Sequence, residues 1–162
     1  MAELASHYDA IREEFGYDRP DVDLGSLSAG VVDRAFAATT DADALRAAAD
    51  GDRDTLFVAS AGLTGTPHVG TVAQMYAVKR LHDAGFDTEF LIADYEKYAG
   101  SGRDLAVVRD LADDYRTFLD RIGYEGGVRT QYDARDVMHT AFRLAPYFEF
   151  ESDYEFDHEY TD

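Results

Sequence analysis

Apolar positions along this chain follow a helical period in some stretches and a strand period in others, and the two alternate. Leu4, Tyr8, Ile11 and Phe15 recur at helical spacing and predict an amphipathic helix over Met1–Gly16. Gly16 to Gly25 is rich in Gly, Pro and Asp and reads as a loop. Val31–Ala38 predicts a short helix, and Thr40 a cap for another over Asp41–Ala49, with Gly51 beyond its end. The apolar run Thr55–Ala59 predicts a buried strand. Val72–Leu81 is apolar on nearly every face until Lys79 and predicts a buried helix, stopped at Gly85-Phe86. Thr88–Ala93 is a second strand, and Tyr95–Gly102 reads as a loop. Asp104 then caps a helix with Leu105, Val108, Leu111, Ala112, Tyr115, Leu119 and Ile122 on one face, stopped by Gly123. Val128–Tyr132 is a third strand and Arg135–Leu144 a last helix.

Strand, helix, strand, helix, strand predicts an α/β fold: half of a doubly wound sheet, three parallel strands with right-handed crossovers. Beyond it the rhythm changes. Phe148, Phe150, Ser152, Tyr154, Phe156, His158 and Tyr160 alternate with acidic residues, the period of a strand with one aromatic and one acidic face. The reading set against this added strand is a solvated acidic tail. The chain thus divides into an N-terminal helical extension (1–38), an α/β domain (39–146) and an alternating tail (147–162).

The candidate chemistry lies between the first strand and its helix, in Ser60-Ala-Gly-Leu-Thr-Gly-Thr-Pro-His-Val-Gly-Thr71. Unpaired amides at a helix start favour negative charge, so a strand, glycine turn and helix N-terminus together suit phosphate. Gly62, Gly65 and Gly70 leave room for a ligand to approach the backbone. Pro67 fixes φ ahead of the helix, where a missing N–H costs nothing. His68 is expected on the first turn, facing whatever the turn holds.

Charge changes this picture more than composition does. Hydrophobic content of 46% and 13% aromatics in 162 residues is that of a folded chain with a real core. The formal net charge is −18, and Lys79 and Lys97 are the lysines in a chain whose other cations are arginines. The acids are spread along the chain, which reads as adaptation to high salt, where self-repulsion is screened. This charge opposes nucleic-acid binding by simple phosphate attraction. Without cysteine there is no disulfide or thiolate site, and His7, His82, His139 and His158 lack metal-ligand spacing, so no protein-bound metal is indicated. No apolar run reaches bilayer length, and the N-terminus lacks a signal-peptide layout, so a cytoplasmic location without a membrane partner is expected.

Thr66-Pro-His-Val-Gly-Thr71 resembles the HIGH signature of class I aminoacyl-tRNA synthetases, with Thr71 in place of the second histidine. Leu81–Asp87, Leu91–Tyr98 and Leu105–Gly123 follow in the order and spacing of archaeal-type tyrosyl-tRNA synthetases, with the tryptophanyl branch close behind. The resemblance covers roughly Asp54 to Ala145. It implies a Rossmann-like (HUP-type) half domain in which ATP, with Mg2+, is a substrate. The implied reaction is attack of an amino acid carboxylate on the α-phosphate, giving an aminoacyl-adenylate by positioning and charge stabilisation. It places ATP at Gly62, Gly65, Thr66, His68, Gly70 and Thr71, with His68 and Thr71 as the catalytic pair. Thr71 can hydrogen-bond but cannot carry positive charge.

The resemblance also places the amino acid at Val58, Leu91, Ala93 and Glu96. Val58 stands where tyrosine-specific members bond the substrate phenol and cannot make that bond, which speaks against tyrosine as substrate. Glu96 could hold an amine. Nothing in the chain resembles the KMSKS loop, so tRNA enters only if another region or chain completes the site. The first strand would have an unpaired edge, which the tail or a homodimer would cover. Two other readings stand beside amino acid activation: a catalytically inactive nucleotide- or amino-acid-binding paralogue, and an HxGH nucleotidyltransferase.

Overall fold

In a computed structural model, residues 2–24, 27, 36–52 and 54–147 are described. The core is a sheet of three parallel strands, β1 (Leu56–Gly62), β2 (Asp87–Ala93) and β3 (Gly127–Thr130), in the order β1-β2-β3. β1 and β2 are joined by α3 (Val69–Asp83), β2 and β3 by α4 (Asp94–Ser101) and α5 (Leu105–Arg121). Ahead of the sheet come α1 (Ala2–Phe15) and α2 (Ala42–Ala49); after it come α6 (Arg135–Leu144) and a 3-10 turn, Ala145–Tyr147. The chain is therefore an α/β protein with a three-stranded parallel sheet, as its periodicity predicts. Among the described residues, no helix is long and apolar enough to cross a membrane.

One face of the sheet carries the core. Ala61, Phe90 and Ile92 point into a cluster with Leu63, with Met75 and Val78 of α3, and with Val108, Ala112, Tyr115 and Leu119 of α5. Crossovers of one hand, taken in one direction along a sheet, put both helices on the same side. Fully buried Phe90, Met75, Ile92 and Leu119 each contribute about 1.5–3 kcal/mol by leaving water. On the other face, Leu56 and Val58 are half exposed, and the carboxylate of Glu89 pairs with Arg129 (Nη2 to Oε1, 3.0 Å). Arg129 also lies 3.9 Å from Asp136, so the first turn of α6 stands on this second face. Among the described residues β1 is an edge strand, pairing with β2 alone.

The N-terminal segment packs onto this unit. Asp18 and Thr39 form an antiparallel bridge (2.8 and 2.9 Å), and Arg12 donates to the Ala37 carbonyl at 2.5 Å. Leu24, 2% exposed, meets Leu81 of α3 with Val22, Phe36, Phe57 and Phe86 around them.

Several boundaries differ from the pattern-based expectation, each for a physical reason. The cap of α2 is Asp41, not Thr40: its carboxylate accepts from the Ala44 amide at 2.8 Å. Residues 36–38 are not helical, and 31–35 lie outside the described residues. The first strand continues to Gly62, because its pairing with β2 extends through Gly62 and Ala93. α3 is not buried all round; Thr71, Met75, Val78 and Leu81 are buried, while Val69 and Tyr76 are exposed. Residues 95–101, expected as loop, belong to α4, whose first turn holds Asp94 and Glu96 at the positive end of the dipole and whose end is Gly102 at φ 62°. β3 ends at Thr130 because Thr130 then accepts from Asp133 and Ala134, turning the chain. The alternating tail, Phe148 onward, lies outside the described residues.

At the amino ends of the strands, a small polar cluster closes the sheet. The Tyr124 hydroxyl donates to Thr88 Oγ1 at 3.0 Å, and Thr88 Oγ1 lies 3.3 Å from His82 Nδ1. Burial raises the Tyr124 phenol above its ordinary value, against the lowering effect of the Thr88 bond.

Candidate functional site

The candidate site is built at the carboxyl ends of β1 and β2, where open parallel sheets bind ligands. β1 ends at Gly62, and fully buried Leu63 anchors the chain in the core as it turns away. The Thr64 amide donates to the Gly62 carbonyl at 3.0 Å, tightening the first bend. Thr66 is exposed, and nothing lies within 4 Å of where a Gly65 side chain would start, so this part of the turn is open. Pro67 precedes the helix cap, which is His68 in an extended conformation (φ −92°, ψ 172°).

The imidazole of His68 folds back over its own helix. Nδ1 accepts from the amides of Gly70 (3.2 Å) and Thr71 (3.4 Å). An accepting Nδ1 puts the proton of the neutral ring on Nε2, which lies 3.3 Å from Thr71 Oγ1 and donates to it. Thr71 is 5% exposed, its hydroxyl turned to this bond. A Cβ at Gly70 would stand 3.1 Å from His68 Cε1, so the bare backbone there makes room for the ring. His68 and Thr71 are thus brought together. His68 sits at the cap, not on the first turn, and the space above Gly70, expected for a ligand, holds the imidazole.

At the end of β2, Ala93 pairs with Gly62 and is buried. Asp94 follows, 2% exposed, its Oδ1 accepting from the amides of Tyr95 (2.9 Å) and Tyr132 (3.1 Å). This carboxylate clamps the start of α4 to the turn after β3. The Glu96 amide donates to Gln131 Oε1 at 2.9 Å, while the residue itself is exposed. In the same turn Arg116 bonds Asp133 and holds its carboxyl below the usual range. A cavity of about 400 Å3 opens between Tyr95, Gln131, Tyr132, Arg135 and Phe142. The Arg109 guanidinium lies 4.6 Å above the Tyr132 ring.

The proposed amino-acid positions do not all converge. Val58, 55% exposed, lies on the sheet face opposite the core, beside Glu89. At about 3.3 Å per residue it stands roughly 13 Å before Gly62 along the strand. Leu91 shares its face but pairs with Ser60, so Ser60 is the exposed β1 side chain nearer the turn. Ala93 is directly paired to Gly62 at the end of β1, whereas Glu96 is tied through its amide to Gln131, just beyond β3.

Pattern reading passed over two cations. A Cβ at Gly62 would stand 3.3 Å from Lys97 Cε, so the Lys97 stem lies across the end of β1. Arg103, just after α4, donates from Nη2 to the Thr64 carbonyl at 3.1 Å. One signal for the first was present in the chain: Lys97 is one of two lysines. Among the described residues, no group of three or more His, Cys, Asp or Glu side chains is placed to hold a metal ion. No protein-family model and no curated protein matches the chain, so its chemistry is read from this geometry and from the residues themselves.

Proposed function

We propose that this chain is a class I aminoacyl-tRNA synthetase-like, Rossmann-like (HUP-type) half domain of the tyrosyl/tryptophanyl branch, and that it binds ATP at the turn from Gly62 to Thr71. The observation that carries the reading is the place of the signature residues: a glycine turn leaves the carboxyl end of a strand in a parallel sheet and runs directly into the N-terminus of α3. The family reaction is amino acid activation with MgATP as substrate. The exposed Glu96, in the first turn of α4, is the group for an amino acid's ammonium.

The cap geometry favours a second reading within the same site, in which the chain binds nucleotide without forming an adenylate. The Gly70 and Thr71 amides that would receive a phosphate are bonded to His68 Nδ1, so the ring must swing away before phosphate can reach them. Thr71 is buried against that ring and supplies no positive charge. Both readings predict binding; they differ in turnover. Titration with MgATP in multimolar KCl, followed by amide NMR, is expected to move the Gly65, Gly70 and Thr71 resonances at millimolar ligand. Unmoved resonances there would remove both readings. Pyrophosphate exchange with one amino acid, lost in His68→Ala, would select the activating enzyme; binding without exchange would select the module.

A further inference from the structure

We propose that a second copy of this chain docks on the uncovered face of the sheet, with α6 of each copy lying across Leu56 and Val58 of the other. A parallel sheet is normally covered on both faces. Here the second face presents Leu56 at 53% and Val58 at 55% exposure, beside exposed Ser60. β1 carries no charged residue at all, so this is an apolar strip left half in water.

The same chain holds the helix that this face lacks. Val137, Ala141 and Leu144 recur at i, i+4 and i+7 and form an apolar stripe on α6, with Arg135, Asp136, His139, Thr140 and Arg143 round the other side. Yet each described side chain of α6 is exposed, Val137 at 50% and Leu144 at 45%. The helix meets its own chain with its polar side: Asp136 approaches Arg129 of β3, and Arg135 lies by the Tyr132 ring. Ala141, in the middle of the stripe, stands about 140° round the helix from Asp136. The stripe is therefore turned away from the sheet beneath it. An α6 held between two sheets, polar side on its own and apolar stripe on its copy's, satisfies both surfaces at once.

Charge and size both fit a second copy. Two arginines against one aspartate give α6 a net charge of +1 in a chain of −18. Arg143, one residue before Leu144, has no carboxylate partner among the described residues. Beside Leu56 a cavity of about 590 Å3 is rimmed by Asp54, Asp87, Glu89 and Glu125. Of these four, Glu89 is the one bonded to an arginine among the described residues. A copy seated with the end of its stripe at Leu56 brings its Arg143 to these carboxylates. As to size, a specific interface takes about 800 Å2 on each partner. Ten residues of helix, about 15 Å long, cannot supply that alone. Two-fold symmetry doubles the contact, because each copy gives both the helix and the sheet face, and such a contact closes at two chains.

The test follows the mass of the full chain by sedimentation equilibrium in multimolar KCl, where repulsion between two acidic copies is screened. Wild type should pass from one chain to two between micromolar and millimolar concentration. Val58→Glu and Leu144→Lys should each raise the dissociation constant about tenfold or more. Arg143→Gln, at the rim, should raise it about threefold, and Leu144→Met should stay within about twofold. An equimolar mixture of Val58→Glu and Leu144→Lys should dimerise more tightly than either variant alone, because each supplies the surface that the other has lost. Far-UV circular dichroism checks that the variants are folded; Leu56→Gln and Ala141→Lys, on the same two patches, replace any that is not. A wild-type chain that stays single at millimolar concentration overturns the proposal. A dimer indifferent to Val58→Glu and Leu144→Lys overturns it too. A dimer weakened by both and not restored by mixing does the same, since that marks helix on helix or β1 edge on β1 edge.

Discussion

The two ends of the sheet use glycine in opposite ways. At the amino ends, a Cβ on Gly126 would lie 2.5 Å from Tyr124 Cζ and 2.6 Å from Thr88 Oγ1, distances that side chains do not tolerate. The bare backbone at Gly126 leaves the room in which the phenol of Tyr124 reaches Thr88. At the carboxyl ends, Gly65 has nothing within 4 Å, and Gly62 meets one flexible lysine stem. Around Gly126 one end is closed by packing, with its hydroxyls and imidazole bonded to one another, and a cavity of about 590 Å3 opens beside that cluster, between Asp54, Leu56, Glu89 and Glu125. The other is open at Gly65 and Thr66, with polar groups that hold the backbone of the turn in place. A glycine by itself therefore says little about ligands; the atoms around its absent Cβ say whether it serves packing or access.

The largest expected effect separates the two ends directly. Gly126→Ala must shift Tyr124 or Thr88 and should cost about 3 kcal/mol, in the upper range for overpacking. Gly65→Ala, with open space around it, should stay within about 1 kcal/mol. Denaturant unfolding of the two variants in the same KCl buffer measures the difference, and equal costs would erase the distinction drawn between the ends.

A smaller effect concerns the phenol of the closed end. Burial raises the Tyr124 phenol above its ordinary value near 10. The folded state therefore prefers the neutral form: the stabilisation is present in full below pH 10 and is lost as pH rises through the higher folded value. Unfolding midpoints should fall above pH 10 in wild type and fall less in Tyr124→Phe. A parallel decline in the two proteins would show that Tyr124 is not the group responsible. At neutral pH, Tyr124→Phe should cost about 1 kcal/mol for the lost bond to Thr88.

The smallest effect belongs to the open end. His68→Ala removes the cap of α3 and should cost about 0.5–1 kcal/mol, with His68→Asn restoring most of it. The same alanine variant frees the Gly70 and Thr71 amides. If the imidazole competes with phosphate for them, inorganic phosphate should shift those two amide resonances more in His68→Ala than in wild type. A smaller shift in the variant would mean that the ring assists the anion instead of excluding it.

Much of the fold is legible in the chain because hydrophobic period reports which side of each element loses water. The face of α5 from Val108 to Leu119 and the stops at Gly85 and Gly123 follow from local spacing and from positive φ. The existence and order of the three strands follow in the same way. α4 does not, because it has no apolar period to read: its start is held by the Asp94 carboxylate on the amide of Tyr132, 38 residues away. The last residues of β1 belong to the strand only through their pairing with β2. In the site, the sequence by itself determined that a glycine turn with a histidine leads into a helix. Tertiary structure decided what those groups touch: that His68 spends its ring on the amides of Gly70 and Thr71, and that Lys97 and Arg103 reach the turn from another connection. The physical reason is range. Burial patterns and caps are set by neighbours a few residues apart, whereas a side chain's partner across a sheet is set by the register and crossover of the whole chain.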